Sequence, residues 1–147
     1  YKIISTHSEQ IPADLRAQIL GLCDPQKESI QLLAETDHHL GKLYAKATHQ
    51  LLEKAKLKAA DIRAVGCHGQ TIRHSPPSAG QIPFSLQIGD ANILATDTNI
   101  AVVADFRRKD IALGGQGAPL APGFHQFAFA NPEINRAIVN IGGISNI

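Results

Sequence analysis

Apolar residues recur along the chain with two different periods. From about residue 28 to residue 56 they recur at spacings of three, four and seven, which predicts a long amphipathic helix. A shorter helix is predicted just after Pro12, because proline suits a helix start and Asp14 favours its positive end. Asp24-Pro25 is expected to end this first helix.

Short apolar runs between these helices predict strands. The predicted strands cover residues 1–6, 62–67, 84–88, 99–104 and 136–141. Residues 72–80 are rich in Pro, Ser and Gly and are predicted to form a loop, and short helices are predicted at about residues 91–96 and 122–130. Strands that alternate with helices predict an α/β fold, with a mixed and mostly parallel sheet flanked by helices.

Composition narrows the class of protein. The chain has 147 residues, about one domain, with 44% hydrophobic residues, 18% charged residues and a net charge of +1. This balance provides no electrostatic footprint for nucleic acid, and no apolar run reaches the roughly 18 residues of a membrane span. Cys23 and Cys67 are predicted to be free thiols in a reducing, cytoplasmic compartment, and no histidine or cysteine spacing predicts a metal site.

Both ends of the sequence predict a piece of a longer protein. The chain opens directly in an alternating strand pattern without an initiator methionine. It stops within residues 139–147, which are predicted to form a strand, a glycine turn and the start of a second strand.

Polar clusters follow several of the predicted strands. They are His68-Gly69-Gln70-Thr71, Gly89-Asp90, Asp105 to Asp110 with the glycine loop 114–117, and Asn140 to Asn146. In open parallel sheets the ligand crevice lies outside the carboxyl ends of the strands. The clusters therefore predict one binding site along this edge.

Each candidate residue has more than one interpretation. His68 could face a ligand or be a hydrogen-bonded core histidine, and Asp90 is expected to cap a helix. Asp105 could be a base, a metal ligand or the ion-pair partner that orients Arg107. Arg107 and Arg108 carry planar donor forks for phosphate or carboxylate, and in an extended chain only one of them would face the site.

Gln70, Thr71 and the glycine loop offer neutral hydrogen-bonding groups. The two side chains suit sugar hydroxyls or amides, and helix capping or a local turn is the alternative role. Gly114-Gly115-Gln116-Gly117 would let backbone N–H groups approach a ligand closely. The loop lacks the lysine and hydroxyl residue of a Walker motif.

The motifs together resemble those of the anhydro-N-acetylmuramic acid kinases, a family of the actin-like ATPase superfamily. The resemblance extends over nearly the whole chain, in the same order and spacing. It rests on residues 66–71, 86–90, 103–108, 114–120 with Pro122 and His125, and 140–144.

The resemblance implies a ribonuclease H-like fold and an ATP- and Mg²⁺-dependent phosphotransferase of peptidoglycan recycling in the bacterial cytoplasm. Such an enzyme hydrolyses the 1,6-anhydro ring of its amino sugar and phosphorylates the 6-oxygen. The family also suggests a homodimer that uses no nucleic acid or membrane partner. The alternative function is a non-catalytic carbohydrate- or metabolite-binding α/β module.

The resemblance also implies roles for residues. The residues expected to bind the sugar are His68, Gln70, Thr71, Asp105, Arg107, Arg108, Gly115 and Gln116. Those expected near the ATP phosphates are Asn140, Gly142 and Gly143. Residues 1–147 would be part of the N-terminal sugar-binding domain, with a second phosphate hairpin beginning at 138–147. The first phosphate loop would precede Tyr1 and the catalytic base would follow Ile147, so these residues alone are expected to be inactive.

Overall fold

A computed structural model of the chain describes residues 2–27, 29–78, 80–141 and 145–147, with Asn146 described by its backbone alone. Two helices dominate the first third of the chain. Helix α1 spans Ala13–Leu22 and follows Pro12, as predicted. Helix α2 spans Ile30–Ala55, and its start is capped by the Ser29 hydroxyl, which accepts a hydrogen bond from the Leu32 N–H at 3.0 Å. The predicted limits of α2 agree to within two residues, and Glu28 lies outside the described residues.

Three two-stranded ladders follow. Strands β1 and β4 pair in parallel, whereas β2 with β3 and β5 with β6 pair antiparallel. The strands are β1 (Val65–Cys67), β2 (Gln70–Ser75), β3 (Phe84–Ile88), β4 (Val102–Ala104), β5 (Asn140–Ile141) and β6 (Ser145–Asn146). The remaining helices are α3 (Ala91–Thr98), α4 (Arg108–Ala112) and α5 (Ala121–Phe129), and a 3₁₀ turn covers Ala59–Asp61. The α/β class, with a parallel pair flanked by helices, is confirmed.

The predicted strands 62–67 and 99–104 are shortened to Val65–Cys67 and Val102–Ala104, and four further segments differ from their predictions. Residues 2–6 form no strand: Ile3 and Ile4 are exposed, and Lys54 Nζ on α2 donates to the Thr6 carbonyl at 2.9 Å. The predicted loop 72–80 begins instead as strand β2, which pairs with β3 despite its polar sequence. The predicted strand 136–141 is reduced to Asn140–Ile141, where a partner strand is present. Helix α4 was not predicted, because its charged residues had been interpreted as a loop.

The core lies between α1, α2 and the β2–β3 hairpin. Leu22 and Leu40 are fully buried there. The whole cluster comprises Leu15, Ile19, Leu22, Leu40, Ile72 and Ile88, with Leu32, Leu33, Leu43 and Tyr44 packed against it. Leu20 lies on the opposite side of α1 and is exposed. This core fixes the hairpin on α2, and thereby fixes one wall of the site described below.

Helix α3 packs closely against α2 at Gly41. A Cβ atom at Gly41 would lie 2.8 Å from the Asp90 carbonyl oxygen and 3.1 Å from the Ile93 Cβ. Glycine therefore lets the two helices approach closely. No helix in the described part of the chain is long and apolar enough to cross a membrane.

Candidate active site

The parallel pair β1–β4 brings His68 and Asp105 to one edge of the fold. Cys67 is paired with Ala104 at the ends of these strands, so the residues that follow them leave the sheet side by side. Asp105 has a left-handed backbone, with φ of 57°, which turns the chain from β4 towards α4. Aspartate tolerates this conformation better than most residues. The predicted meeting of these two polar strand ends is confirmed.

A cavity of about 200 Å³, here called the polar cavity, opens at this edge. Three of the predicted site residues line it: His68, Asp105 and Arg108. They are joined by side chains from α2 and β3, notably Asp37, Ser85 and Gln87. The polar cavity thus combines acidic, basic and neutral hydrogen-bonding groups.

A second cavity, of about 380 Å³, lies on the other side of His68 and is here called the arginine cavity. Among the described residues that line it, Arg107 is the charged one. The remainder of its wall is made by His68, Phe106, Gly117, Ala118, Pro119, Leu120 and Ala121. The arginine cavity therefore presents one guanidinium group among mostly apolar side chains.

The two neighbouring arginines have different partners. Arg108 donates from Nε to Asp105 Oδ2 at 2.6 Å, so an acidic group offsets its charge. Arg107 donates from Nε and Nη2 to His68 Nε2, at 3.1 and 2.8 Å. The prediction that Asp105 orients Arg107 is therefore wrong. Because residues 105–108 turn into a helix, Asp105 faces the residue three positions ahead.

The same helical turn changes the prediction that only one arginine faces the site. That prediction assumed an extended chain, in which neighbouring side chains point in opposite directions. The structure places Arg108 at the polar cavity and Arg107 at the arginine cavity. Both arginines are therefore available to a ligand that occupies the two cavities together.

Asp110 organises the glycine loop from within. Its carboxylate accepts the Gly117 N–H at 2.7 Å and its carbonyl accepts the Gly115 N–H at 2.8 Å. The Gly114 N–H donates to the Ile111 carbonyl at 2.9 Å. These three N–H groups already have acceptors in the chain. Gly115 and Gln116 line neither cavity, whereas Gly117 lines the arginine cavity.

Gln70 and Thr71 begin strand β2 and line neither cavity directly. Gln70 Nε2 donates to the Thr71 carbonyl at 2.9 Å. Thr71 reaches the polar cavity through Gln87, whose Nε2 donates to Thr71 Oγ1 at 3.1 Å and to Ser85 Oγ at 2.7 Å. Their predicted binding of sugar stays a prediction.

Sequence reasoning missed Asp37. Its carboxylate accepts the Gly89 N–H at 2.6 Å, and its carbonyl accepts the Asp90 N–H at 3.1 Å. Asp37 thus ties α2 to the turn before α3. A sequence signal existed, because Asp37 continues the apolar series of Leu33, Leu40 and Tyr44, where a charged residue is unusual.

Sequence reasoning also missed Ser85 and Gln87. Strand β3 alternates apolar and polar residues, which normally predicts apolar side chains inside. Here Ser85 is buried, whereas Phe84 and Leu86 are exposed. Ser85, Leu86, Gln87 and Ile88 all line the polar cavity, and Ile88 also belongs to the core, so residues from both faces of β3 contribute to the wall. No feature of the strand's own sequence distinguishes these two orientations.

Two ionisable groups near the polar cavity stay protonated at neutral pH. Burial, followed by the nearby charges of Cys67 and Asp37, raises the pKa of the Tyr44 phenol to about 12. Burial also raises the pKa of the Cys67 thiol, against an opposing hydrogen bond from the Gly69 backbone. Cys67 is therefore a thiol rather than a nucleophilic thiolate.

Asp90 caps α3, as predicted, and accepts the Asn92 N–H at 2.7 Å.

The C-terminal hairpin lies beside a third cavity. Asn140 pairs with Asn146, and Ile141 pairs with Ser145. Asn140 lines a cavity of about 650 Å³ together with Pro122 and His125. Gly142 and Gly143 lie outside the described residues. The antiparallel ladder fits a phosphate-binding hairpin in its strand pairing and in the open space beside it.

The described residues do not fit a resident metal. Within them, no group of three or more His, Cys, Asp or Glu side chains is arranged to hold a metal ion. The three carboxylates that line the polar cavity have partners within the chain: Asp37 accepts from the Gly89 N–H, Asp90 accepts from the Asn92 N–H, and Asp105 pairs with Arg108.

Comparison with known proteins places the sequence of the chain in one family. The family model described as "Anhydro-N-acetylmuramic acid kinase" matches residues 1–147. Proteins of that name are 53% identical to the chain in Shewanella frigidimarina, over 145 residues, and in Saccharophagus degradans, over 146 residues. A protein of the same name in Coxiella burnetii is also 53% identical over 146 residues. These alignments cover 99% of the chain, which spans 39% of the length of each relative. The chain belongs to the anhydro-N-acetylmuramic acid kinase family.

Proposed function

We propose that the chain is the sugar-binding part of the N-terminal domain of an ATP-dependent anhydrosugar kinase. In the proposed reaction, water attacks the anomeric carbon of anhydro-N-acetylmuramic acid and the 1,6-anhydro bond breaks. The freed 6-oxygen takes the γ-phosphoryl group of ATP, and the products are N-acetylmuramic acid 6-phosphate and ADP. The names of the relatives support the substrate, and residues 138–147 would begin the second phosphate hairpin.

The observation that carries the proposal is the charge of Arg107. No carboxylate of the described residues lies within salt-bridge distance of this guanidinium, whose side-chain partner is the imidazole ring of His68. Muramic acid carries a lactyl ether, which has one methyl and one carboxylate group. A guanidinium group surrounded by apolar residues matches both parts of that group. We assign the lactyl carboxylate to Arg107.

The polar cavity supplies complementary groups for the rest of the sugar. Gln87 is fixed by its bonds to Thr71 and Ser85, so little rotamer entropy remains to be lost when a ligand binds. Asp105 and Arg108 offer acceptor and donor atoms to hydroxyl and amide groups. His68 separates the two cavities and contacts both.

ATP would lie towards the C-terminal hairpin, with Asn140, Gly142 and Gly143 near its phosphates. When bound, Mg²⁺ offsets the charge of these phosphates and of the transferring phosphoryl group. We propose no magnesium ligand within the described residues. The carboxylate that activates water is expected beyond Ile147, and the full-length protein is proposed to be a cytoplasmic homodimer without nucleic acid or membrane partners.

The direct test is ADP release by the full-length protein, coupled to a spectrophotometric reaction. Release that requires anhydro-N-acetylmuramic acid is expected, with N-acetylmuramic acid 6-phosphate as the product. Residues 1–147 alone should release no ADP above the sugar-free control, because the proposed base and first phosphate loop lie elsewhere. Sugar binding by the full-length protein without ADP release would contradict the kinase and favour a non-catalytic carbohydrate-binding module.

A further inference from the structure

We propose that His68 is a positioning residue, which aims Arg107 at the anionic group of the substrate while leaving the arginine's charge intact. The proposal rests on the function proposed above and explains how its carboxylate specificity would arise. His68 would act through Arg107, rather than through the reacting atoms.

The partners of the imidazole ring assign its tautomer. His68 Nδ1 lies 2.9 Å from the Gly69 carbonyl oxygen, which can only accept, so Nδ1 carries the proton. Nε2 faces two N–H donors of Arg107, so Nε2 carries a lone pair. Both contacts together require the neutral ring, protonated at Nδ1.

A neutral partner leaves the positive charge of Arg107 in place, whereas an acidic partner would offset it. Arg108 beside Asp105 forms a pair with no net charge, whereas Arg107 beside neutral His68 keeps its full positive charge. His68 therefore fixes the direction of the guanidinium group without cancelling the field that attracts an anion.

The remaining donors of Arg107 suit a carboxylate. Nε and Nη2 each give one N–H to His68, which leaves both N–H groups of Nη1 and one of Nη2. The free N–H groups of Nη1 and Nη2 point away from the end of the guanidinium group. This end can bind a carboxylate through two parallel hydrogen bonds. The arginine cavity beside this fork is otherwise mostly apolar.

The backbone holds His68 in place for this role. Gly69 has a φ of 71°, and a Cβ atom there would lie 2.7 Å from the Ile88 carbonyl oxygen. The turn after β1 is thus pressed against the end of β3, and a bulkier residue at position 69 would displace it. Gly117 is buried beside Arg107, and a Cβ atom there would lie 3.4 Å from the Arg107 Cβ, so a larger residue would crowd the arginine.

The experiment compares three substitutions at one position in the full-length enzyme. His68→Gln keeps a neutral acceptor near the place of Nε2, His68→Leu removes the acceptor, and His68→Glu adds a negative charge beside Arg107. Each variant is assayed with anhydro-N-acetylmuramic acid and with its uncharged methyl ester. His38→Leu is the matched control, because His38 is exposed on α2, outside both cavities.

His68→Leu and His68→Glu should raise the KM for the acid about tenfold or more, the scale of one hydrogen bond to a charged group. Their KM for the ester should change less than about twofold, and His68→Gln should stay within about threefold of the unsubstituted enzyme for both sugars. Adding His68→Leu to Arg107→Ala should change the KM for the acid little further. Equal rises for acid and ester, or additive effects in the double variant, would overturn the proposal.

A readout without turnover separates this proposal from the function itself. If the unsubstituted enzyme releases no ADP with either sugar, the proposed function fails. Nitrogen NMR of the histidine rings then decides the pairing, with His68→Gln used to assign the resonances. The expected result is a protonated Nδ1 and an unprotonated Nε2 that responds to Arg107→Ala. A ring protonated at Nε2, or one unaffected by Arg107→Ala, contradicts the positioning role.

Discussion

Neighbouring residues of the same type can have opposite electrostatic roles. Arg107 and Arg108 adjoin in sequence, yet one is held by a neutral ring and the other by a carboxylate. The exposed Asp105–Arg108 pair contributes little stability, because solvent screens it. Its effect at the site is to remove one positive charge, so that Arg107 becomes the arginine best suited to an anionic ligand.

Tyr44 provides a residue-scale test of the packing behind the polar cavity. A Cβ atom on Gly89 would clash with Cε2 of the Tyr44 ring, so glycine makes room for the ring. Burial raises the pKa of Tyr44 to about 12, from its ordinary value of 10.0. The folded state thus favours the neutral phenol, and the resulting stability is fully present below about pH 10 and lost as the pH rises through about 12.

Ultraviolet titration of tyrosinate measures this prediction. One of the two tyrosines should ionise late, at about pH 12, and Tyr44→Phe should remove that late step. The free energy of unfolding should fall more steeply above pH 10 in the unsubstituted protein than in Tyr44→Phe. Ionisation of both tyrosines together near pH 10 would contradict the burial of Tyr44.

At the scale of elements, the contact between α2 and α3 positions Asp37 and Asp90 beside the cavity. Gly41→Ala would place a methyl group 2.8 Å from the Asp90 carbonyl oxygen. This substitution should lower the free energy of unfolding by about 1–3 kcal/mol, although alanine favours helices, because the two helices must separate.

Gly123→Ala in α5 is the matched control for Gly41→Ala. A Cβ atom at Gly123 meets no atom within 4 Å, so the substitution should stabilise the helix by up to about 1 kcal/mol. Urea unfolding of both variants gives the comparison. Stabilisation by Gly41→Ala, or equal effects of the two substitutions, would contradict the close helix contact.

The elements that could be predicted from sequence are those with a periodic local pattern. Helices α1 and α2 and strand β3 lie close to their predicted bounds. The spacing of apolar residues, or the residues at the helix ends, indicates where each of these elements begins and ends. Strand β2 was missed because its partner, rather than its own polar sequence, determines its pairing. Residues 2–6 have a strand-like pattern but contact the side of α2, as the bond from Lys54 to Thr6 shows.

The position of the site in the fold could be predicted from the sequence more readily than the hydrogen bonds and ion pairs within it. Polar strand ends correctly indicated that His68 and Asp105 meet. The pairing of each arginine depends on a helical turn that starts at the left-handed Asp105, which the charged sequence did not reveal. Asp37 comes from a helix far away in sequence, and only the tertiary fold brings it to Gly89.

At the scale of the whole molecule, the chain contributes two adjoining cavities, with His68 between them, to a protein family whose members are much longer. It spans 39% of the relatives' length, although 99% of it aligns with them. The chain's own residues would bind and orient the sugar, and the proposed phosphoryl transfer also needs groups outside residues 1–147. A substitution in the arginine cavity should therefore affect sugar binding separately from ATP binding.

The most direct test of this account is the KM of the full-length enzyme for its two substrates after Arg107→Ala. We expect the KM for anhydro-N-acetylmuramic acid to rise about tenfold or more, and the KM for ATP to change less than about twofold. Lys109→Ala, which removes a nearby exposed cation outside both cavities, should change neither KM. Equal rises for the sugar and for ATP, or no rise for the sugar, would contradict the assignment of Arg107 to the sugar carboxylate.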